Sequence, residues 1–590
     1  MAAQRIAGRA AAPGMARGSW TELGRPPLPP PGAIAQDEVP REAARLREAA
    51  RAASGQLRAL AASVREAGHA DEAAIFLAQA AIARDPDIID TAAELIERDL
   101  VDAIGAIDAA ARATADRIAG LDDELLRGRA ADVLDVADRI ARALAGIPSD
   151  PALLAAPAIV VADDLPPSVT ATLPRDRLLG IALERSSPTA HAAILARAYG
   201  IPAIVSAAGL LDAVRAAGPD VELTIDGSTG EAVIDPDSAE RARFDALVAA
   251  EAVARDRDLG EAGAPARTLD GTDVTLLANI GSPDECEDAV RLGARGVGLF
   301  RTEFLFLGRA QPPSEDEQVA AYTRALEAFQ GQPVTIRLLD IGGDKQIPYL
   351  DQPAEDNPFL GVRALRLAER RPDLFITQLR ACYRAAGDGD GTAAVKVMAP
   401  MVADATDAAM LLALAHDARA SLDRDGLPAG AIALGIMLEI PSAILIGDTF
   451  FDQVAFASIG TNDLLQYTLA VDRGNAALDR YRDSLHPALL RLVRHAVEAS
   501  ARAGIELSVC GEMAGEPAAA LALVGLGVRQ LSMSAPSIAA VRRAIRGSDL
   551  ATLERVAAEA LDDPTAAEAR ERFDGLIERA AATAGVVTPA

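Results

Sequence analysis

Polar side chains follow the apolar strand candidates in the C-terminal half of the chain. Arginine comes at Arg301 and Arg337, and acidic or thiol side chains come at Glu439, Asp463 and Cys510. A guanidinium group binds phosphate or carboxylate through two parallel hydrogen bonds, and carboxylates are ligands that Mg²⁺ prefers. The residue types therefore indicate an anionic substrate together with a divalent cation, unless the charges only pair with one another.

Asn462 and Arg473 extend this set, and Cys510 has two possible roles in it. Asn462 precedes Asp463, and Arg473 lies in the stretch TNDLLQYTLAVDRGN, from which it can hold a second anionic group. Cys510 lies in SVCGEM, and a cysteine in an apolar strand usually belongs to the core. At a strand end near arginines it can instead serve as an acid toward a substrate carbon.

One of the five histidines, His191, lies at the predicted start of a helix in SSPTAHAAILARAYG. Pro188 suits a first helical turn, and Gly200 ends the helix. A helix N-terminus disfavours imidazolium, favours a neutral and nucleophilic ring, and offers free N–H groups to an anion. A lone histidine at such a position is more often a capping or packing residue, so both interpretations stay open at this point.

Eight strand candidates, mostly separated by helical patterns, run from about residue 268 onward. Several are continuous apolar runs, which is typical of parallel strands covered on both faces. Eight such units predict a (β/α)8 barrel, and an open doubly wound sheet is the alternative if one strand is miscounted. The carboxyl ends of barrel strands meet at one mouth, so this fold brings the polar residues together. The candidates are VTLLANI, GVGLFRTEF, VTIRLLDI, VKVMAPMV, ALGIMLEI, VAFASIGTND, ELSVCGEM and QLSMSA.

The rest of the chain divides into three zones. Residues 36–145 carry apolar residues at helical spacing with almost no strand signal, which predicts an α-helical bundle. Residues 146–236 alternate apolar runs with turns and predict a small α/β domain, which residues 1–35 join as a strand that the bundle interrupts. Residues 237–262 form a predicted linker helix, and residues 263–590 form the barrel domain.

Composition restricts the class of protein. The chain of 590 residues has 58 Lys and Arg against 86 Asp and Glu, a formal net charge of −28. That charge repels nucleic-acid backbones and is compatible with a basic protein partner. No apolar run is long enough for a membrane span, and the N-terminus lacks the apolar segment of a secretory signal. Three widely separated cysteines indicate a reducing compartment, and we expect a cytoplasmic protein.

Longer motifs give the chain a resemblance to a known family. It resembles enzyme I of the phosphoenolpyruvate:sugar phosphotransferase system nearly from end to end, with ordered motifs too long to arise by chance. The motifs that carry the resemblance are PTAHAAILAR, GVGLFRTEFLFLGR, IRLLDIGGDK, NPFLGVRALR, IGTNDLLQYTLAVDRGN and VCGEMAG.

The resemblance implies a fold and a reaction. In this family a swivelling α/β domain with an inserted α-helical bundle carries a phosphohistidine, and a (β/α)8 barrel binds phosphoenolpyruvate and Mg²⁺ and forms a homodimer. The phosphoryl group passes from phosphoenolpyruvate to the histidine, and then to the carrier protein HPr docked on the helical domain. By motif match, His191 is the phosphohistidine, and Cys510 is the acid that protonates the enolate carbon as pyruvate forms.

The same match assigns the ligand-binding residues of the barrel. Glu439 and Asp463 would ligate Mg²⁺, and Arg473 would bind the substrate carboxylate. The residues that would bind the phosphate end are Arg301, Arg337 and Asn462, with the backbone of Asp463 nearby.

One departure from the family pattern and two other functions stay open. The chain has Ser186 and Ser187 where the family usually has two glycines, which puts the rate of transfer and the choice of partner in doubt. Pyruvate phosphate dikinase and phosphoenolpyruvate synthase resemble the barrel, but they need a nucleotide-binding domain, and no Gly-rich phosphate loop precedes the histidine domain. A non-catalytic regulatory paralogue would have lost site residues, all of which are present.

Overall fold

The computed structural model forms two compact units, Met1–Val253 and Ala254–Ala590. His191, Ser187 and Arg473 lie outside the residues that it describes. No helix of the described residues has the length and apolar character needed to span a bilayer. The described residues are 4–23, 28–66, 70–119, 124–147, 154, 156–165, 169, 173–174, 177–186, 192–193, 196, 200–307, 309, 311–342, 349–350, 355–387, 395–472 and 476–583.

The first unit contains one mixed sheet of eight strands. They are β1 (Gln4–Ala7), β2 (Arg9–Ala12), β3 (Met15–Glu22), β4 (Ala158–Ala162), β5 (Leu178–Leu183), β6 (Ala203–Val205), β7 (Glu222–Asp226) and β8 (Glu231–Ile234). The order across the sheet is β1-β8-β7-β3-β4-β5-β6-β2, so the opening strands pair with strands far along the chain. The sequence predicted one opening strand, but three form: Gly8 separates β1 from β2, and Gly14 turns the chain before β3 with a φ of 114°.

Both faces of this sheet are covered, as the alternation of residues along β4 shows. Val160 belongs to one apolar cluster together with Ala192, Ala193 and Ala196, which are buried and helical. Its neighbour Ile159 belongs to a second cluster, which includes the helix Leu210–Ala217. Successive side chains of a strand point to opposite faces, so helical residues pack on each side of the sheet.

In the described part of the chain between β3 and β4, five α-helices form, as the sequence predicted. Their apolar faces share one core of buried alanine, leucine, isoleucine and valine side chains and Phe76. The helix Ser238–Gly260 follows β8, in the region where the sequence predicts a linker helix. The bundle helices are Val39–Glu66, Ala70–Ile82, Pro86–Asp99, Ala103–Ala119 and Glu124–Ala145.

The second unit is built on a closed barrel of parallel strands. Its strands are β9 (Ala266–Arg267), β10 (Asp273–Ile280), β11 (Val297–Arg301), β12 (Val334–Arg337), β13 (Val395–Ala399), β14 (Ala433–Leu438), β15 (Phe456–Ile459), β16 (Glu506–Val509) and β17 (Gln530–Met533). β9 pairs antiparallel with β10 outside the ring. β10 pairs parallel with both β11 and β17, which closes the ring of eight strands. The predicted (β/α)8 barrel is confirmed.

Helices surround the barrel and follow its strands. The helices Glu303–Phe306, Pro441–Leu445 and Thr461–Leu469 begin two or three residues after the ends of β11, β14 and β15. The other helices of this unit are Cys286–Arg291, Glu315–Phe329, Pro372–Ala385, Ala405–Asp425, Pro487–Ala503, Pro517–Gly525, Ile538–Arg546, Leu550–Ala560 and Ala566–Thr583.

Side chains fill the barrel interior and leave its carboxyl end as the mouth. A cluster of Leu299, Met398, Met437, Phe456 and Cys510 packs inside the ring. At the amino end, Lys396 pairs with Glu506 and lies 5.1 Å from the ring centroid of Phe456. These contacts lie at the amino end of the ring, opposite the polar residues that follow the strands.

Candidate active site at the barrel mouth

Arg301 and Arg337 end two neighbouring strands and lie opposite each other in the register of β11 and β12. Arg337 is buried and forms ion pairs with Glu303 at 2.5 Å and Asp340 at 3.3 Å, whereas its Nε donor has no acceptor. Arg301 is half-buried, and within the described part of the chain its side chain forms no hydrogen bond or ion pair. Two guanidinium groups side by side, with donors left free, fit an anionic ligand.

A third arginine, Arg363, lies among the same charges. It is 4% exposed and donates to both carboxylate oxygens of Asp340, at 2.8 and 2.9 Å from Nη2. Its Nη2 also lies 3.6 Å from the Asp463 carboxylate, so Arg363 links two acidic side chains. The strand-end pattern does not predict Arg363, because it lies in the long connection after β12, and its only sequence signal is the motif NPFLGVRALR.

Glu439 and Asp463 are the buried carboxylates that follow β14 and β15. The pKa of Glu439 is raised to about 8, first because the carboxyl group is buried and then because Asp463 and Asp340 carry like charge. Arg337 and Arg363 oppose this shift. The carboxylates therefore repel one another even though arginines lie among them.

The residues present fit a divalent cation. Glu439 and Asp463 offer hard oxygen ligands, and a bound cation would relieve the repulsion that raises the pKa of Glu439. Among the described residues, no three His, Cys, Asp or Glu side chains converge to hold a metal by themselves. A coordination shell of two carboxylates, completed by substrate and water oxygens, is typical of Mg²⁺.

The backbone around Glu439 holds its carboxylate in place. Its Oε1 accepts a hydrogen bond of 2.7 Å from the backbone N–H of Met401, which adopts a left-handed φ of 60° after β13. A Cβ atom on Gly460 would lie 3.0 Å from Oε2 of Glu439, so this glycine allows close approach from the other side. The carboxylate is thus oriented by main chain from two neighbouring strand ends.

Cys510 follows β16 and is 1% exposed. Its Sγ lies 3.7 Å from the carbonyl oxygen of Ile459. Burial raises the pKa of its thiol to about 11, although the nearby Ser458 hydroxyl and the charges of Arg337 and Arg301 oppose the shift. At neutral pH the group is therefore a protonated thiol, which can donate a proton and is a poor nucleophile.

Residues from the first and last barrel strands hold the main chain at Cys510. Asn279 of β10 donates from Nδ2 to the carbonyl oxygen of Cys510 at 3.0 Å. Ser532 of β17 donates from Oγ to Oδ1 of Asn279 at 2.6 Å. The position of the thiol therefore depends on the closure of the barrel.

The segment after Cys510 also packs tightly against the start of the helix Thr461–Leu469. The backbone N–H of Glu512 donates to Oδ1 of Asn462 at 3.0 Å. A Cβ atom on Gly511 would lie 1.8 Å from Oγ1 of Thr461, so only glycine fits there. These contacts place Asn462 next to the backbone segment that follows Cys510.

The structure brings most of the predicted site residues to one mouth. Those that interact there are Arg301, Arg337, Glu439, Asp463 and Cys510, with Asn462 bonded to the adjoining backbone. The two remaining predictions, His191 and Arg473, lie outside the described residues. The alternative, that these charges only pair with one another, holds for Arg337, which forms ion pairs. It does not hold for the Arg301 side chain among the described residues.

Three family matches follow one another along the chain. They are described as PEP-utilising enzyme, N-terminal, over residues 7–129, its mobile domain over residues 154–230, and its PEP-binding domain over residues 255–550.

Named relatives cover most of the chain. A phosphoenolpyruvate-protein phosphotransferase of Geobacillus stearothermophilus is 40% identical over 86% of this chain and 87% of its own length. The protein of the same name from Streptomyces coelicolor is 41% identical over 94% of this chain and 96% of its own. A multiphosphoryl transfer protein of Xanthomonas campestris pv. campestris is 41% identical over 85% of this chain, which spans 59% of that relative's length.

Proposed function

Because the chain belongs to the PEP-utilising enzymes, as a transferase of the phosphoenolpyruvate-protein phosphotransferase type, we propose a specific two-step transfer. The phosphoryl group of phosphoenolpyruvate moves to His191 and then to the histidine of an HPr-type carrier protein, and pyruvate is released. The observation that carries the proposal is the pair of arginines in register beside two buried carboxylates and a buried thiol.

The substrate is held by charge at the mouth. Arg301 and Arg337 bind its phosphate with donors that the protein leaves free, and Asn462 contributes there as well. Arg473 binds the carboxylate at the other end. Glu439 and Asp463 would hold Mg²⁺, which would supply positive charge beside the substrate oxygens.

The transfer needs positioning more than covalent chemistry from the protein. Nε2 of His191 attacks phosphorus, the bond from phosphorus to the bridging oxygen breaks, and its electron pair stays on the enolate oxygen. The guanidinium groups stabilise this charge. The Sγ proton of Cys510 then moves to the enolate carbon, which gives pyruvate, and the thiolate regains a proton from solvent.

The domain roles follow from the same proposal. Residues 1–35 and 146–236 form the phosphohistidine domain, residues 36–145 dock the carrier protein, and residues 237–262 link them to the barrel domain 263–590. The barrel domain also forms the homodimer. We place the enzyme in the cytoplasm, where a carrier protein with a basic surface suits the net charge of −28.

Labelled phosphoenolpyruvate tests the proposal. We expect wild-type enzyme with Mg²⁺ to acquire one acid-labile, base-stable phosphoryl label, and the His191→Ala variant to acquire none. His416→Ala is the matched control, because His416 lies within the helix Ala405–Asp425 outside the mouth, and it should keep the label. Label on His191→Ala, or loss of label on both variants, would contradict the assignment of the acceptor.

A further inference from the structure

A buried amide lies behind the two arginines of the mouth. Gln378, on the helix Pro372–Ala385, has no exposed surface. Its Nε2 donates to Oγ1 of Thr302 at 2.9 Å and to the Tyr322 hydroxyl at 3.1 Å. Its Oε1 accepts from the backbone N–H of Leu339 at 2.9 Å. One side chain therefore satisfies donors and acceptors on three different elements.

These contacts reach the chain immediately after each arginine. Thr302 follows Arg301 directly and donates from Oγ1 to the carbonyl oxygen of Arg337 at 2.8 Å. Leu339 lies two residues after Arg337. The path from Leu339 through Gln378 and Thr302 to the Arg337 carbonyl thus joins the ends of β11 and β12 by buried hydrogen bonds.

We propose that Gln378 is a positioning residue that fixes the spacing of Arg301 and Arg337 for the substrate phosphate; this rests on the proposed function. No described residue holds the Arg301 guanidinium, so its place is set by the backbone from which it extends. Buried hydrogen bonds have no water to replace them, so they restrict that backbone strongly. Gln378 touches no substrate and acts only through Thr302 and Leu339.

Gln318 supplies a control of the same residue type in the same network. It is 1% exposed, accepts from the Tyr322 hydroxyl at 3.2 Å and donates to the carbonyl oxygen of Pro313 at 3.2 Å. It contacts neither strand end through these bonds. Gln318→Met therefore removes buried hydrogen bonds from the network without releasing the arginines.

The test compares Gln378→Met with Gln318→Met in the full-length enzyme. We expect both to lower the thermal unfolding midpoint, but only Gln378→Met to raise the KM for phosphoenolpyruvate, by about tenfold or more. A KM for Gln378→Met within about twofold of wild type, or equal to that of Gln318→Met, would overturn the proposal.

Gln378→Glu keeps the proposal testable if Gln378→Met does not fold. A protonated carboxyl group retains one donor for Thr302 and an acceptor for Leu339, whereas a carboxylate loses the donor. Relative to wild type at each pH, the KM of Gln378→Glu should be closer to normal at pH 6 than at pH 8. A ratio that does not change with pH contradicts the role. If wild type itself takes no label from phosphoenolpyruvate, the proposed function fails, which is a separate result.

Discussion

Arg301 and Arg337 have the same side chain and neighbouring positions but different surroundings. Arg337 is buried between Glu303 and Asp340, so part of its charge is already used within the protein. Arg301 has no such partner in the described chain, and its charge is available to a ligand. Truncating each arginine should therefore have a different effect on folding and on substrate binding.

We expect Arg301→Met to raise the KM for phosphoenolpyruvate by about 10- to 100-fold, because charge-assisted hydrogen bonds to the phosphate are lost. Its thermal midpoint should stay close to wild type, since the Arg301 guanidinium forms no hydrogen bond or ion pair with the described residues. Arg337→Met should raise the KM and, unlike Arg301→Met, should also lower the thermal midpoint. The reason is that Glu303 and Asp340 lose a buried cation. Steady-state kinetics measures the KM of each variant, and thermal unfolding measures its midpoint. Equal destabilisation by the two variants would contradict this reasoning.

The thiol of Cys510 should resist alkylation at ordinary pH. Its pKa is raised to about 11, so at pH 8 only about one molecule in a thousand carries the thiolate. The rate of reaction with iodoacetamide should rise about tenfold per pH unit toward pH 11 while the protein stays folded. Mass spectrometry of the Cys510 peptide follows the reaction, with urea-unfolded enzyme as the reactive control. Complete modification of folded enzyme within minutes at pH 8 would refute the raised pKa.

At the scale of elements, apolar runs were sufficient to predict the barrel strands. The runs are continuous because each parallel strand is covered on both faces, and this pattern is local in the sequence. The ends of the strands were predicted less exactly. The candidate GVGLFRTEF extends past β11, which stops at Arg301 because the helix Glu303–Phe306 begins there. Arg363 and Gln378 were missed, since their partners are distant in sequence and neither lies at a strand end.

Gly511 joins two elements in a way that no other residue type allows. We expect Gly511→Ala to lower stability by about 1–3 kcal/mol and to reduce kcat, because its Cβ would lie 1.8 Å from Oγ1 and 2.7 Å from the backbone N of Thr461. Thermal unfolding and pyruvate release measure these effects. Gly263→Ala is the control, since no atom lies within 4 Å of its added Cβ. An active and stable Gly511→Ala enzyme would show that the contact is not needed.

At the scale of the whole molecule, apolar burial is divided between two units. The apolar cluster that surrounds the barrel is drawn entirely from Ala254–Ala590, and the bundle and the mixed sheet have cores of their own. Separate cores allow each unit to unfold on its own. The sequence predicted these regions from their different periodicities.

Calorimetry should therefore resolve more than one unfolding transition in the full-length enzyme. In the His191→Ala variant, phosphoenolpyruvate with Mg²⁺ should raise only the transition of the barrel, by about 3 kcal/mol of added stability at a hundred times the Kd, since only that unit binds the ligand. The assignment can be checked with residues 254–590 alone. An equal shift of every transition would mean that the units unfold together.

The hydrogen bonds from Ser532 to Asn279 and from Asn279 to the Cys510 carbonyl connect the last barrel strand, the first and the thiol. A polypeptide still emerging from the ribosome lacks Ser532 until the last barrel strand has been synthesised. The backbone of Cys510 consequently lacks these hydrogen bonds until then. Chains that terminate before β17 should therefore lack both the closed ring and the anchored Cys510 backbone.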